Sequence, residues 1–435
     1  MIPRQVGDWL DDELPRLNRA ILDGDAPPGA LAGRLRDEVL PRLPAVDRLP
    51  PDVARQMVVR LGIAGASVAR HFQEWVPNGK LQPERAFEDL EAGGRSFRDY
   101  FAALADRTGT GHCDRDSYAS LVRWNVGTLE VCRGDRVLAV LPGVFDDGRI
   151  RTYSGTTGEE RFFLLVKQGE AIEAAVNGAL GPLRRDAAGP TSAEAVAGLR
   201  EATDLLHALR RLFVDFARLP AEQSMPAEHF LDVFRQFAVH WTAGDIPPSG
   251  ALDPEALKRD FLLGIALPGY DEQVRRLFPA LLEAERAEIG ELMSEPTLPQ
   301  RLLAELGIDP AWLGAADPAE LDRLVAGEPA LADWYRLLAA HARAAGAHLM
   351  LSKRYLFNPQ RDRDAAGLGD RPLVSNRAGT TGMTETYLQR LTRARQEHLL
   401  APLRAVVTGE KGQYNGHSWV RSHTEAAPVS VALVA

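Results

Sequence analysis

Two histidines on one predicted helix, His341 and His348, are the side chains whose spacing says most about metal chemistry. They are seven residues apart and share a helix face. They lie about 10 Å apart along the axis, too far for both to hold one ion. A histidine that binds metal here therefore binds alone, as the proximal ligand of a haem iron does. The apolar residues from His348 to Phe357 form a face wide enough for a flat hydrophobic ring, although plain core packing explains the same pattern.

Signatures of several other enzyme classes are absent from the chain. It has no GxxxxGK[ST] phosphate loop, no GxGxxG after a strand, no HExxH and no GxSxG. Nucleotide-binding, zinc-peptidase and serine-hydrolase interpretations are therefore not favoured. The two cysteines, Cys113 and Cys132, form no CxxC pair, so neither a disulfide framework nor a structural zinc site is expected.

Composition places the chain among globular proteins. It has 435 residues, 45% hydrophobic and 26% charged, with a net charge of −9. An acidic balance without a basic block argues against nucleic acid or an anionic membrane as the main partner. There is no apolar signal core at the N-terminus and no apolar run of ~18 residues, so a cytoplasmic protein is expected.

The periodicity of apolar residues predicts a mostly α fold that positions these side chains. We expect a small N-terminal domain over 1–155, mostly helical, with a short strand at 137–145 and a turn at 146–148. A larger helical domain follows over 156–408, and 409–435 form a C-terminal tail. Asp253-Pro254 predicts a capped helix start. Long helices are predicted at 162–180, 193–219, 227–241, 253–267, 331–356 and 383–403.

The run AHLMLSKRYL, residues 347–356, resembles the proximal-haem helix of the indoleamine 2,3-dioxygenase family. In that family a histidine is followed seven positions later by Tyr-Ile or Tyr-Leu. Other blocks appear in the family's order, namely SYASLV at 117–122, RFFLLV at 161–166, HFLDVFR at 229–235, SGA at 249–251 with DFLLGI at 260–265, and AGTTG at 378–382. The resemblance covers roughly residues 117–400, whereas the first ~110 residues match only as a small helical domain.

The resemblance implies a haem b whose iron is held by His348, with His341 left as a helix-face residue. It also implies that Arg235 binds the α-carboxylate of the substrate, because a guanidinium matches a carboxylate two-to-two. An interhelical salt bridge is the alternative for Arg235. Its position between Phe234 and Phe237 favours the binding role, since that setting is apolar for an exposed charge.

Further roles follow from the same resemblance, and no residue is assigned as a general acid or base. Asp260 lies where the family has an acid near the proximal imidazole, but Ala345 stands where the family carries the arginine that pairs with it. Val166 stands where several family members carry a serine. The distal-pocket wall, for which core packing is the alternative, is assigned to Phe162, Phe163, Phe230, Tyr118, Leu121 and Val122. Contacts at the haem edge and the substrate ammonium are assigned to Ser249, Gly250 and Thr380.

The function implied by the resemblance is a haem-dependent dioxygenase of the kynurenine pathway. With O2 as co-substrate, it would insert both oxygen atoms across the indole C2=C3 bond of L-tryptophan to give N-formylkynurenine. A monomer is expected. Three alternatives stay open: a related oxygenase acting on another aromatic amino acid or indole derivative in secondary metabolism, a non-catalytic haem sensor, and a helical scaffold without cofactor.

Overall fold

The computed structural model describes residues 3–92, 94–110, 114–185, 189–368, 372–409 and 427–434. The predicted mostly α fold is confirmed, with 66% of residues helical and 5% in strands. Among the described residues, no helix has both the length and the apolar character needed to cross a membrane. Cys113 lies outside the described residues, and Cys132 is a free, half-buried thiol.

Short helices surround one long helix in the N-terminal third of the chain. They are α1 (Arg4–Asp8), α2 (Leu14–Leu22), α3 (Ala30–Arg34), α4 (Pro51–Trp75) and α5 (Phe97–Thr108). Proline at position 51 suits the first turn of α4, where its missing N–H has no partner to lose.

Three long helices, α6 (Thr157–Arg184), α7 (Ala193–Arg218) and α15 (Ala330–Ser352), form the centre of the larger part, with α7 packed against both of the others. Helix α17 (Glu385–Gln396) packs against α15. The helices of this part are α6 (Thr157–Arg184), α7 (Ala193–Arg218), α8 (Ala227–His229), α9 (Pro254–Leu263), α10 (Tyr270–Arg275), α11 (Glu283–Ser294), α12 (Leu298–Glu305), α13 (Pro310–Ala315), α14 (Pro318–Gly327), α15 (Ala330–Ser352), α16 (Asn358–Ala365), α17 (Glu385–Gln396) and α18 (Arg404–Thr408).

Tighter and wider helical turns extend these helices. Five-residue π-helical turns occur at Trp9–Glu13, Leu35–Val39, Ala119–Arg123, Phe230–Phe234 and Lys353–Phe357. Turns of 3₁₀-helix occur at Leu40–Arg42, Val46–Arg48, Gly79–Leu81, Pro83–Phe87, Ala221–Gln223, Arg235–Phe237, Gly250–Leu252, Phe278–Ala280 and Ala401–Leu403.

Three predicted helices are shorter in the structure, and the one predicted over 383–403 is α17, which ends at Gln396. The predicted cap of α9 is confirmed, because the Asp253 side chain accepts from the N–H groups of Glu255 and Ala256. That helix ends at Leu263 and not at residue 267, since Gly264 adopts a φ of 80°. The helix predicted over 227–241 is also wrong in type, because only its first three residues are α-helical before the π and 3₁₀ turns.

Strands are few and short: β1 (Glu91–Ala92), β2 (Arg95–Ser96), β3 (Leu129–Arg133), β4 (Arg136–Leu141) and β5 (Val429–Leu433). The predicted strand at 137–145 is β4, which ends at Leu141. It pairs antiparallel with β3, which the sequence analysis missed. The predicted C-terminal tail contributes a strand to this sheet, because β5 pairs antiparallel with the other side of β3.

Packing joins the two predicted domains through a shared core. One hydrophobic cluster includes Leu61 and Phe101 from the N-terminal part together with Phe163, Phe237 and Leu391 from the larger part. A second cluster lies among α6, α7, α12 and α15.

Lys167 on α6 forms hydrogen bonds with the chain on either side of the β3–β4 hairpin. Its Nζ lies within hydrogen-bond distance of the carbonyl oxygens of Arg123 (2.7 Å), Val126 (2.7 Å), Gly127 (2.8 Å) and Pro142 (3.1 Å), which share its N–H groups. The side chain is fully buried. This one side chain therefore supplies donors to carbonyl groups that precede β3 and to one that directly follows β4.

Lys167→Met is expected to lower the free energy of unfolding by about 3 kcal/mol, because four carbonyl oxygens lose their donor inside the protein. Urea titration of the apoprotein measures this. Lys353→Met is the control, since Lys353 is partly exposed and lies 3.6 Å from Glu385 in a surface pair. A loss at Lys167 no larger than that at Lys353 would contradict a structural role for this ammonium.

Candidate functional site

An aromatic enclosure is formed where α6 meets two π-helical turns. The Phe162 ring lies 5.3 Å from Phe230 and 5.4 Å from Phe234, measured between centroids. Phe163 lies 5.3 Å from Phe234, and Tyr355 lies 5.8 Å from Phe230. The structure thus brings together the three phenylalanines assigned to the pocket wall, and it adds Phe234 and Tyr355.

The π-helical turns explain why these rings meet. Phe230 and Phe234 are the first and last residues of one such turn, and Tyr355 lies at the middle of another. A π turn inserts an extra residue into the helix, so it changes the direction of the side chains that follow, and such turns are frequent at functional sites. The residue directly after the first of these turns is Arg235.

Arg235 is a buried cation without an acidic partner. Its side chain is only 7% exposed, and no described carboxylate lies within salt-bridge distance. Its Nη2 donates to the carbonyl oxygens of Ser375 (2.7 Å) and Ala378, while Nε has no hydrogen-bond partner. Burial alone lowers the pKa of Arg235 to about 10. Among the described residues, the alternative of an interhelical salt bridge is not formed, so the guanidinium has no anionic partner within that part of the chain.

Other buried polar atoms near this segment have no hydrogen-bond partner among the described residues. They are the side-chain amide O and N of Asn376 and Oγ1 of Thr381, together with the hydroxyl of Tyr387 on α17. The Tyr355 hydroxyl, in the aromatic enclosure, is also buried without a partner. Buried polar groups in folded proteins nearly always have a hydrogen-bond partner.

The Gly-Thr segment lies beside the loop that carries Ser249 and Gly250. Thr380 Oγ1 donates to the Pro248 carbonyl oxygen at 3.0 Å, and Gly379 N–H donates to Met383 O at 2.8 Å in a tight turn. Ser249 Oγ accepts from Ala251 N–H at 3.3 Å, so it caps the 3₁₀ turn that begins at Gly250. The structure therefore brings the three residues assigned to haem-edge and ammonium contacts to one side of the site.

The wall residues from the N-terminal part are buried in the first hydrophobic cluster with Phe163. Tyr118 donates its hydroxyl to Glu170 at 3.2 Å, and burial raises its pKa well above the usual range. Leu121 and Val122 belong to the π turn that follows. Val166 packs against the same cluster and offers no hydrogen bond from its side chain.

His348 is an exposed residue near the C-terminal end of α15. Desolvation by the surrounding protein, with added repulsion from Arg395 and Arg259, lowers the pKa of its imidazole to about 4. Its ring centroid lies 5.6 Å from that of Phe213, and among the described residues neither ring nitrogen has a hydrogen-bond partner.

His341 lies in a buried network of charged and polar side chains. Its Nδ1 accepts from Arg259 Nε at 3.0 Å, and its Nε2 lies 3.2 Å from Asp260 Oδ1. Asp260 also accepts from the Tyr270 hydroxyl (2.6 Å) and from Arg395 Nε (3.0 Å). Although desolvation opposes ionisation, Arg395 and His341 together hold the pKa of Asp260 well below its usual range.

This network changes the partner expected for Asp260. The structure places Asp260 against His341, and no hydrogen bond joins it to His348. The arginine that pairs with it comes from α17, at position 395, since position 345 is alanine. Sequence reasoning missed Arg395 and Tyr270, because no local pattern links them to residue 260.

Buried histidines make the fold sensitive to acid. Desolvation lowers the pKa of His341 to about 4 and that of His71 to about 3. The unfolded chain binds protons near pH 6.5, but the folded chain does not, so the free energy of unfolding falls as pH drops from about 6.5 towards 4. The urea midpoint measured across this range should fall steadily. His341→Gln should flatten the profile, and a midpoint that does not change with pH would contradict the neutral, buried state.

Comparisons with known proteins give no family for this chain. No protein-family model matches it, and no curated protein matches it significantly. Within the part of the chain that the structure describes, no three His, Cys, Asp or Glu side chains are grouped so that they could hold a metal ion.

Proposed function

We propose that the chain is a haem-dependent dioxygenase that acts on the indole ring of L-tryptophan. The observation that carries the proposal is Arg235, a buried guanidinium without an acidic partner at the edge of an aromatic enclosure. A free amino acid with a flat apolar side chain supplies both missing partners, a carboxylate for the cation and a ring for the enclosure.

The residues also fit a haem group. The imidazole of His348 is neutral at physiological pH and has no hydrogen-bond partner among the described residues, as a proximal ligand requires. The nearby Phe213 supports an apolar surface beside it. When bound, haem supplies the activation of dioxygen, which amino-acid side chains do not provide.

The chain's own residues would bind and orient the substrate. Arg235 would hold the α-carboxylate, and Phe162, Phe163 and Phe230 would flank the indole ring and exclude water. The Gly-Thr segment around Thr380 would close the polar end of the substrate against Arg235. No protein base is needed in this scheme, in keeping with a pocket whose walls are aromatic.

Aerobic turnover tests this function. The haem-reconstituted chain is mixed with L-tryptophan and a reductant, and the absorbance of N-formylkynurenine is followed together with oxygen uptake. Indole, which lacks the carboxylate, should be oxidised far more slowly than tryptophan. A haem-loaded protein that forms no such product but consumes oxygen with another aromatic amino acid would favour a related oxygenase. No oxygen uptake with any aromatic amino acid would favour a sensor, and no haem uptake would favour a scaffold.

A further inference from the structure

A recess lies in the N-terminal part, between α3 and α4. It has a volume of about 450 Å³, within the range of small-molecule sites. Its walls are mainly apolar and include Leu31, Val68, Phe72 and Leu90. None of the residues assigned to the haem or tryptophan site lines it.

One buried polar side chain, His71, lines this recess. Its Nε2 lies 2.9 Å from Asn18 Oδ1, and both amide hydrogens of Asn18 are used elsewhere, on Ser67 Oγ (2.8 Å) and the Tyr153 carbonyl (2.8 Å). Asn18 Oδ1 only accepts, so Nε2 carries the proton of the neutral ring. Nδ1 is then an acceptor, and it is buried without a partner on a residue only 2% exposed.

Charged side chains surround the mouth of the recess. Arg36 and Arg85 are half-exposed there, and Asp89 adds one negative charge. Arg36 is bonded to Asp37 at 2.8 Å, and Arg85 lies 3.3 Å from Glu88. Because these charges are already balanced on the surface, they do not require a charged ligand. A ligand that matches the recess therefore needs apolar surface and one hydrogen-bond donor.

We propose that this recess binds a small, neutral aromatic molecule that donates one O–H or N–H to Nδ1 of His71. Ring-sized apolar surface fits the walls, and the donor satisfies an acceptor that would otherwise be buried unpaired. The site is separate from the proposed tryptophan site and does not depend on haem.

Calorimetric titration of the full chain with two probes tests the proposal. 2-Naphthol carries the donor, and 2-methoxynaphthalene has the same ring system without it. We expect one 2-naphthol per chain, bound about 3-fold to 10-fold more tightly than 2-methoxynaphthalene, which is the usual value of one neutral hydrogen bond. Equal affinity for the two probes would overturn the proposal.

Two variants locate the binding. Ala32 is half-buried on the wall of the recess, so Ala32→Trp should fill it and abolish 2-naphthol binding. Ala319→Trp adds the same ring at an exposed position of α14 and should bind as the unchanged chain does. His71→Leu should bind both probes equally. Binding that survives in Ala32→Trp would place the molecule elsewhere and overturn the proposal.

Discussion

Arg235→Met is expected to raise the KM for L-tryptophan by about 100-fold or more while haem uptake is retained, since two charge-assisted hydrogen bonds to the carboxylate are lost. Arg235→Lys should recover only part of this, because an ammonium cannot present two parallel donors to one carboxylate. The kinetics with indole should be nearly unchanged in both variants, since indole has no carboxylate to lose.

The stability of Arg235→Met separates a binding role from a structural one. Arg235 donates to two carbonyl oxygens but is an unpaired buried charge, so its removal is expected to change the free energy of unfolding by no more than about 1 kcal/mol. Arg377→Met is the matched control. This exposed arginine lies on the same segment, paired with Asp364 at 2.7 Å. A KM unchanged by Arg235→Met, or changed equally by Arg377→Met, would exclude the carboxylate role.

His348→Ala is expected to abolish stoichiometric haem uptake, with an affinity loss of more than about 100-fold, because even groups outside the ligand shell cost 10-fold to 100-fold. The Soret band during haem titration measures this. His348→Gly should regain the band when imidazole is added, since free imidazole then fits the space left by the side chain.

His341→Ala is the control for this prediction, because the two histidines differ in their contacts. His341 is buried between Arg259 and Asp260, so its loss should cost about 2–4 kcal/mol of unfolding free energy while haem uptake is retained. The His348 ring makes no hydrogen bond to any described residue, so His348→Ala should leave apoprotein stability nearly unchanged. Haem uptake that is normal in His348→Ala and absent in His341→Ala would reverse the assignment.

Local patterns in the sequence were sufficient for the helical class. The apolar periodicity predicts the long helices α6, α7 and α15. A helix that buries one face has an apolar residue at every third or fourth position, and this spacing is visible in a short stretch of sequence. The periodicity also predicts that His341 and His348 share a face. The hairpin of β3 and β4 had a usable signal, since Gly134-Asp135 is a two-residue turn between two apolar runs and Gly134 has a φ of 58°.

The helix-type errors have a local physical cause. Apolar residues at 230, 231, 233 and 234 fit an α-helical period, so the wider π turn at these positions carries no distinct sequence signal. That turn nevertheless places Phe230 and Phe234 together in the aromatic enclosure.

Amino-acid order by itself determined the residue types, the helical class and which residues share a helix face. Only the tertiary structure decided which charges are paired. Arg395 reaches Asp260 across 135 residues, Arg259 reaches His341 across 82, and Arg235 reaches Ser375 across 140. It also decided that β5 pairs with β3. The reason is physical: helix periodicity is a property of neighbouring residues, whereas the partner of a buried charge is set by how distant segments pack, which no local pattern records.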